Sequence, residues 1–200
     1  MLSRGVATCL VTLLVTLLAS ACAGPRLTSG EQGFVSGDGT VSVLDPGDRT
    51  KPDGEVAGET VDGQAVSLDD LEGRVVVMPV WGSWCGPCRE EAPMLAAAAR
   101  DLEDEGVSFL GIDSRDENTA KAKAFIERFD IPYPSIYDPD GTTLLAFHGT
   151  LPPMTIPSFV FIDEDGRIAG RVLGKIDRST LYGVVSDVLG SDVPVPREPA

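Results

Sequence analysis

The stretch that most constrains this chain is an apolar run that gives way, within four residues, to a helical pattern carrying two cysteines at its start. Residues 74–81, Arg-Val-Val-Val-Met-Pro-Val-Trp, are rich in β-branched side chains and predict a buried strand, Pro79 apart. Over residues 85–105 the period changes, and Met94, Leu95, Ala98 and Leu102 fall on one face of a helix. Cys85 and Cys88 therefore sit where a core strand becomes a helix, and in open α/β sheets that C-terminal strand edge is the usual place for chemistry.

The rest of the chain supplies partners for that unit. Residues 55–60 and 65–68 flank the turn residues Asp62-Gly63 as a short hairpin, and Asp69-Asp70-Leu71-Glu72 reads as a helical turn. Residues 107–112 predict a second core strand, and 119–129 a helix with Ala120, Ala124, Phe125 and Phe129 at helical spacing, ended by Pro132 and Pro134. A short strand at 135–137, the turn Asp138-Pro139-Asp140-Gly141 and a short helix at 143–147 follow. Strands at 158–163 and 167–173, joined by Glu164-Asp165-Gly166, form an antiparallel hairpin, and 178–189 is a closing helix. This order predicts one α/β domain with a mixed sheet over residues 51–191 and a frayed tail over 192–200.

The N-terminus reads as a targeting segment. Arg4 supplies a positive start and residues 6–18 an uncharged apolar stretch, giving a signal peptide over 1–21 that is left out of the fold. Ala19-Ser20-Ala21-Cys22 resembles a bacterial lipobox, which would make Cys22 the lipidated first residue of the mature protein. The same residues also fit a signal-peptidase site that releases a secreted protein, and the uncharged run 5–24 is long enough to remain as a membrane anchor. All three readings put the domain outside the cytoplasm. Residues 22–50, rich in Gly, Ser, Thr, Asp and Pro, read as a flexible tether with a reach on the order of 30 Å.

With Cys9 inside the targeting segment and Cys22 the lipid candidate, the folded domain keeps Cys85 and Cys88. A ring so short removes little entropy from the unfolded chain, so chemistry explains the pair better than stapling. Structural zinc wants four Cys/His ligands, whereas the domain offers two cysteines and His148, which reads as a surface residue. Covalent haem attachment needs His directly after the second cysteine, where Arg89 stands. A net charge of -15, from 16 Lys+Arg against 31 Asp+Glu, argues against a nucleic-acid partner.

Trp81-Gly82-Ser83-Trp84-Cys85-Gly86-Pro87-Cys88-Arg89-Glu90-Glu91-Ala92-Pro93 resembles the active site of the TlpA/ResA-like (DsbE-like) thioredoxin-fold oxidoreductases, and residues 52–191 follow that family's order of elements. The extra helix and strand between residues 119 and 137 belong to this group and not to plain thioredoxins. The resemblance implies a thioredoxin-like mixed sheet flanked by helices, with an N-terminal hairpin and a central helix-strand insertion. It needs no cofactor beyond a redox-active Cys85-Cys88 disulfide and no metal. Cys85 is then the exposed nucleophile, its thiolate favoured by the helix N-terminus, and Cys88 the resolving thiol.

The resemblance assigns further roles. Glu91 becomes the base that deprotonates Cys88, the alternative being an exposed helix residue, while Glu90 faces solvent. Ile156-Pro157 becomes a cis peptide opposite the cysteines, with Thr155 and Ile156 receiving the incoming chain beside Trp84, Gly86 and Pro87; Trp81 is expected partly buried. Pro79 departs from the family, standing where thioredoxins keep a buried Asp. It lacks a ladder N–H, so a bulge or an edge position is expected to accommodate it.

Gly86-Pro87 resembles the dipeptide of reducing thioredoxins and favours a reductase, with apocytochrome c cysteines as example substrates and a membrane electron donor of the CcdA/DsbD type. Two alternatives stay open: a disulfide-forming oxidase, and a Cu(I)-handling protein that uses both thiols as ligands. The expected assembly is a lipid-anchored monomer whose partners are protein thiols and disulfides.

Overall fold

The computed structural model describes residues 35–36, 41–152 and 154–196. The expectations for the signal segment and for Cys22 lie outside the described residues. The apolar run forms β5 (Val75–Trp81), buried at every position. Around it a mixed sheet assembles from β1 (Val35–Ser36), β2 (Val41–Val43), β6 (Val107–Phe109), β7 (Gly111–Ser114), β8 (Ser135–Asp138), β9 (Ser158–Ile162) and β10 (Ile168–Leu173). The order is β1-β2-β10-β9-β5-β7-β8, with β6 also on β5. β6 and β7 run parallel to β5 and β8 parallel to β7, while β9 and β10 form an antiparallel hairpin whose β9 pairs antiparallel with β5. The predicted N-terminal hairpin is present as β3 (Ala57–Glu59) and β4 (Ala65–Ser67), a separate ribbon that reaches β8 through a bridge between Thr60 and Ile136.

Strand alternation divides the core. One face carries Val75, Val77, Phe159, Phe161, Ala169 and Val172, covered by α1 (Gly86–Asp101) through Leu95 and Ala98 and by α3 (Arg178–Leu189) through Leu181, Tyr182 and Val185. The other face carries Val76, Met78, Val80, Ile112, Val160 and Ile162, covered by Val56 just before β3, by Leu68 just after β4, by Ala146 and Phe147 of the 3-10 turn Thr143–Phe147, and by Leu151 beyond it. Fully burying one such Phe, Val or Met is worth about 1.5–3 kcal/mol. α2 (Thr119–Phe129) begins at an Asn118 cap, whose side chain accepts the Lys121 N–H at 3.2 Å, and packs Ala122 and Phe125 against Trp81. Its buried face is thus Ala122 and Phe125, with Ile126 and Phe129 half-buried; Ala120 and Ala124 of the predicted stripe are exposed.

Pro79 lies neither at an edge nor at a bulge. It pairs in unbroken register with Phe159 of β9. The Val77 carbonyl accepts from the Leu110 N–H at 3.1 Å, so alternation points the Pro79 nitrogen to that same side. There the parallel partners stop at Val77 and resume at Val80, because Leu110 interrupts the predicted strand 107–112 and splits it into β6 and β7. The missing donor falls at the break, and the neighbouring strand absorbs the irregularity.

The domain begins earlier than residue 51 and the sheet's edge lies in the predicted tether. β2 pairs with β10, Leu44 is buried, and the largely buried Arg49 meets Asp163 at 3.5 Å. The tail also contributes: Val193 is buried in the core, and its N–H donates to Ser186 Oγ at 3.0 Å. Leu44→Ala is therefore expected to lower unfolding free energy by about 2–4 kcal/mol, the usual cost of truncating a buried Leu. Equilibrium urea denaturation reads this directly, and an unchanged midpoint would return residue 44 to a tether.

Candidate active site

β5 delivers the site. After Trp81 the chain turns through Gly82, Ser83 and Trp84 and enters α1 with Cys85 as its N-cap. Gly82 is required by close approach: a Cβ there would stand 2.5 Å from Trp84 Nε1 and 3.0 Å from the Ser114 carbonyl. Trp84 folds back over it and donates Nε1–H to that carbonyl at 3.3 Å, yet its ring stays 53% exposed. Asp116 fixes the turn, accepting Ser83 N–H at 2.8 Å and Ser83 Oγ–H at 2.5 Å. Arg89 closes it from the helix side, donating Nε–H to the Ser83 carbonyl at 2.8 Å. Gly86 and Pro87 open the helix, where a missing proline N–H costs nothing.

Cys85 and Cys88 are joined as a disulfide, and the Cys88 N–H donates to Cys85 Sγ at 3.2 Å. The sulfur of Cys85 thus occupies the position of a capping oxygen, facing the unpaired N–H groups of the first turn. The expected exposure of Cys85 is corrected: in the disulfide form the residue is 3% exposed, packed with Trp81, Cys88, Ala92 and Phe125 and flanked by Ile156.

The Ile156-Pro157 peptide is cis, as the resemblance implied. Register explains its place, because Val80 pairs with Ser158, which puts Pro157 level with Trp81 at the same sheet end as the cysteines. Among the described residues, the N–H and C=O of Ile156 make no backbone hydrogen bond. Thr155 is half-buried beside it, and its N–H is taken by the Pro152 carbonyl at 3.1 Å.

Glu91, one turn beyond Cys88 on α1, is 3% exposed, so the surface alternative does not hold. Its Oε2 accepts the Ile176 N–H at 3.2 Å. Burial pushes its pKa up to about 7, opposed by the Ile176 hydrogen bond and by Lys175. Glu90 faces solvent and pairs with Lys175 at 2.6 Å. Trp81 is fully rather than partly buried, stacked on Phe125 at 4.4 Å with Nε1–H donated to Ser135 Oγ at 3.1 Å.

Two carboxylates escaped the sequence reading. Asp113 on β7, in register with Trp81, is fully buried, and neither of its oxygens has a hydrogen-bond partner among the described residues. Burial, then the neighbouring carboxyl of Asp116, raise its pKa to about 9, so it is neutral at pH 7. Their signal was a polar residue closing an apolar strand, Asp113, with a second carboxylate, Asp116, three residues on. His148 is exposed on a loop as expected, and among the described residues no group of three or more His, Cys, Asp or Glu could hold a metal.

Chemically, this is a disulfide at a helix N-terminus, backed by a proton-carrying carboxyl and bordered by an unpaired backbone edge. Comparison with known proteins agrees. Residues 45–185 match the Redoxin family. Thiol-disulfide oxidoreductase ResA of Bacillus cereus is 27% identical over 128 residues, 64% of this chain and 71% of that protein. A DsbF homologue from Corynebacterium diphtheriae is 33% identical, with TM-score 0.70 over 77% of this chain and 97% of its own. A secreted thiol-disulfide isomerase from Corynebacterium glutamicum is 30% identical, with TM-score 0.72 over 79% and 97% respectively.

The buried Glu91 predicts a pH signature. Between the ordinary 4.5 and about 7 the folded protein retains a proton that the unfolded chain has released, so stability falls as pH rises through that window. Glu91→Gln removes this loss while keeping an acceptor for Ile176. The variant should exceed the parent by roughly 3 kcal/mol above pH 7 and converge with it near pH 4. Urea denaturation of the oxidised proteins across pH tests this, and parallel curves would put the Glu91 carboxyl in water.

Proposed function

Since the chain belongs to the Redoxin family and is a thiol-disulfide oxidoreductase of the ResA/DsbE type, we propose that it reduces protein disulfides outside the cytoplasm. The observation that carries this reading is the buried Glu91 one turn behind Cys88. A carboxylate there opposes thiolate formation nearby, which raises the energy of the dithiol relative to the disulfide and makes the pair more reducing. Gly86-Pro87 points the same way.

In the reaction, the Cys85 thiolate attacks one sulfur of the substrate disulfide; a mixed disulfide forms and the first substrate sulfur leaves as thiolate. Glu91 takes the proton of Cys88, whose thiolate then attacks Cys85 Sγ and expels the second substrate sulfur. Two electrons have passed to the substrate, and the protein is left in the oxidised form seen here. The cis Pro157 holds Ile156 so that its free N–H and C=O pair with the substrate backbone, beside Thr155 and the exposed Trp84. A membrane dithiol donor of the CcdA/DsbD type then restores the thiols, and apocytochrome c is a substrate of fitting chemistry. Lipidation at Cys22 would keep the domain beside such a donor. Among the described residues no helix is long and apolar enough to cross a membrane.

Disulfide formation is the second reading, favoured by the N–H of Cys88 on Cys85 Sγ, which stabilises the reduced thiolate. The reduction potential of Cys85/Cys88 decides between them. A value near the thioredoxin figure of about -270 mV is expected, whereas one near the oxidase figure of about -120 mV would reverse the direction. Cys88→Ser should accumulate mixed disulfides through Cys85 with a disulfide-bonded substrate, seen on non-reducing gels. Cys85→Ser should accumulate none; equal trapping by both would undo the assignment of nucleophile.

A further inference from the structure

Beside the disulfide, the start of α1 and one face of α2 enclose a groove of about 410 Å³ whose lining includes Ser83, Trp84, Arg89, Lys121, Phe125 and Arg128. Three of its lining side chains are cations and none is a carboxylate, on a chain whose net charge is -15. The clustering is built in. Lys121 and Arg128 are seven residues apart, two turns along the same helix face, and Arg89 directly follows Cys88. All three are exposed.

Each cation keeps capacity for a ligand. Arg89 uses Nε–H on the Ser83 carbonyl, which orients the guanidinium and leaves its two terminal amino groups for a planar carboxylate. Arg128 lies over the Phe129 ring at 5.6 Å, a stacking that leaves its N–H edge free. Lys121 pairs with Glu117 at 2.5 Å, but both side chains are more than half exposed, and such surface pairs exchange at little cost. Trp84 adds an apolar face at the mouth, and Phe125 a ring at the base.

We infer that this groove receives an acidic peptide segment next to the reactive cysteine of the protein substrate, its carboxylates on Arg89, Lys121 and Arg128 and an apolar side chain on Trp84. The inference rests on the oxidoreductase reading and adds to it a substrate class. A polyanion such as nucleic acid fits poorly, because three cations on a chain of net charge -15 offer it no extended basic track. A short acidic segment sees the local field and, within a Debye length of about 8 Å at physiological salt, little of the rest.

The test uses the full chain and three disulfide-bonded peptides that differ only in flanking the cysteine with Glu, Gln or Lys pairs; the readout is the ratio of exchange rates at low and high salt. The Glu peptide should react about fivefold faster than the Gln peptide at low salt, the Lys peptide slower still, with the spread collapsing at high salt. Lys121→Glu with Arg128→Glu should invert the Glu-to-Gln ratio, and the milder Lys121→Gln with Arg128→Gln should bring it to about one. Equal rates for all three peptides, or a ratio that neither double variant changes, overturns the groove assignment while leaving the oxidoreductase intact. Failure of the unaltered protein to exchange even the Gln peptide would instead sink the functional reading on which it rests.

Discussion

The site depends on a seam: a strand buried along its whole length becomes a helix within four residues. β5 cannot shift without dragging both faces of the core, since its alternate side chains are locked into separate clusters. The turn that follows inherits that rigidity, and Asp116 removes what freedom is left by taking both donors of Ser83. Cys85 therefore arrives at the helix start with its sulfur already in the capping position. The antiparallel register of β9 on β5 does the complementary work, bringing Pro157 to the same sheet end. Two segments more than sixty residues apart meet because one strand is central to both pairings.

Among the carboxyl groups buried around that rigid frame, Glu91 and Asp113 stand apart in having neither a bonded cation nor more than one hydrogen-bond donor among the described residues. Glu91 has a single backbone N–H, and Asp113 has no hydrogen-bond partner among the described residues. Burial without compensation shifts such groups toward their neutral forms, so both hold protons where exposed acids do not. The arrangement sacrifices stability above the ordinary carboxyl range. Since thiol exchange is a traffic in protons as much as in electrons, a carboxyl near neutrality such as Glu91 suits the proposed role of base for a dithiol that must resolve its own mixed disulfide.

What was legible in the sequence follows from how local each signal is. The strand-to-helix junction, the hairpin at Asp62-Gly63 and the closing helix each rest on spacing within one segment, and all three are where periodicity puts them. Strand β2 was hidden because Val41 and Val43 alternate inside a Gly- and Asp-rich stretch, and only pairing with β10 makes that alternation a strand. The buried face of α2 was misplaced for a related reason: alanines satisfy helical spacing on either side, and the neighbour Trp81 chooses between them. Pro79 read as a bulge or edge residue because the break that accommodates it lies in another strand. Asp116 stayed unread because its role arises from a turn thirty-three residues earlier in the chain, and Asp113 because only its register with Trp81 buries it.

The cysteine pair illustrates how exposure and reactivity separate. In the oxidised form Cys85 is enclosed by Trp81, Phe125 and the Ile156 loop, while the exposed Trp84 and the cations of its groove lie alongside. A partner sulfur must therefore be presented along a path lined by those groups. In the proposed mechanism the edge of Ile156, unpaired among the described residues, accepts any extended backbone, because main-chain pairing is indifferent to side chains. Discrimination then falls to the side chains flanking the partner's cysteine, which meet an aromatic surface and local positive charge. On that proposal backbone pairing supplies the common affinity, the rim supplies the difference between substrates, and specificity is that difference.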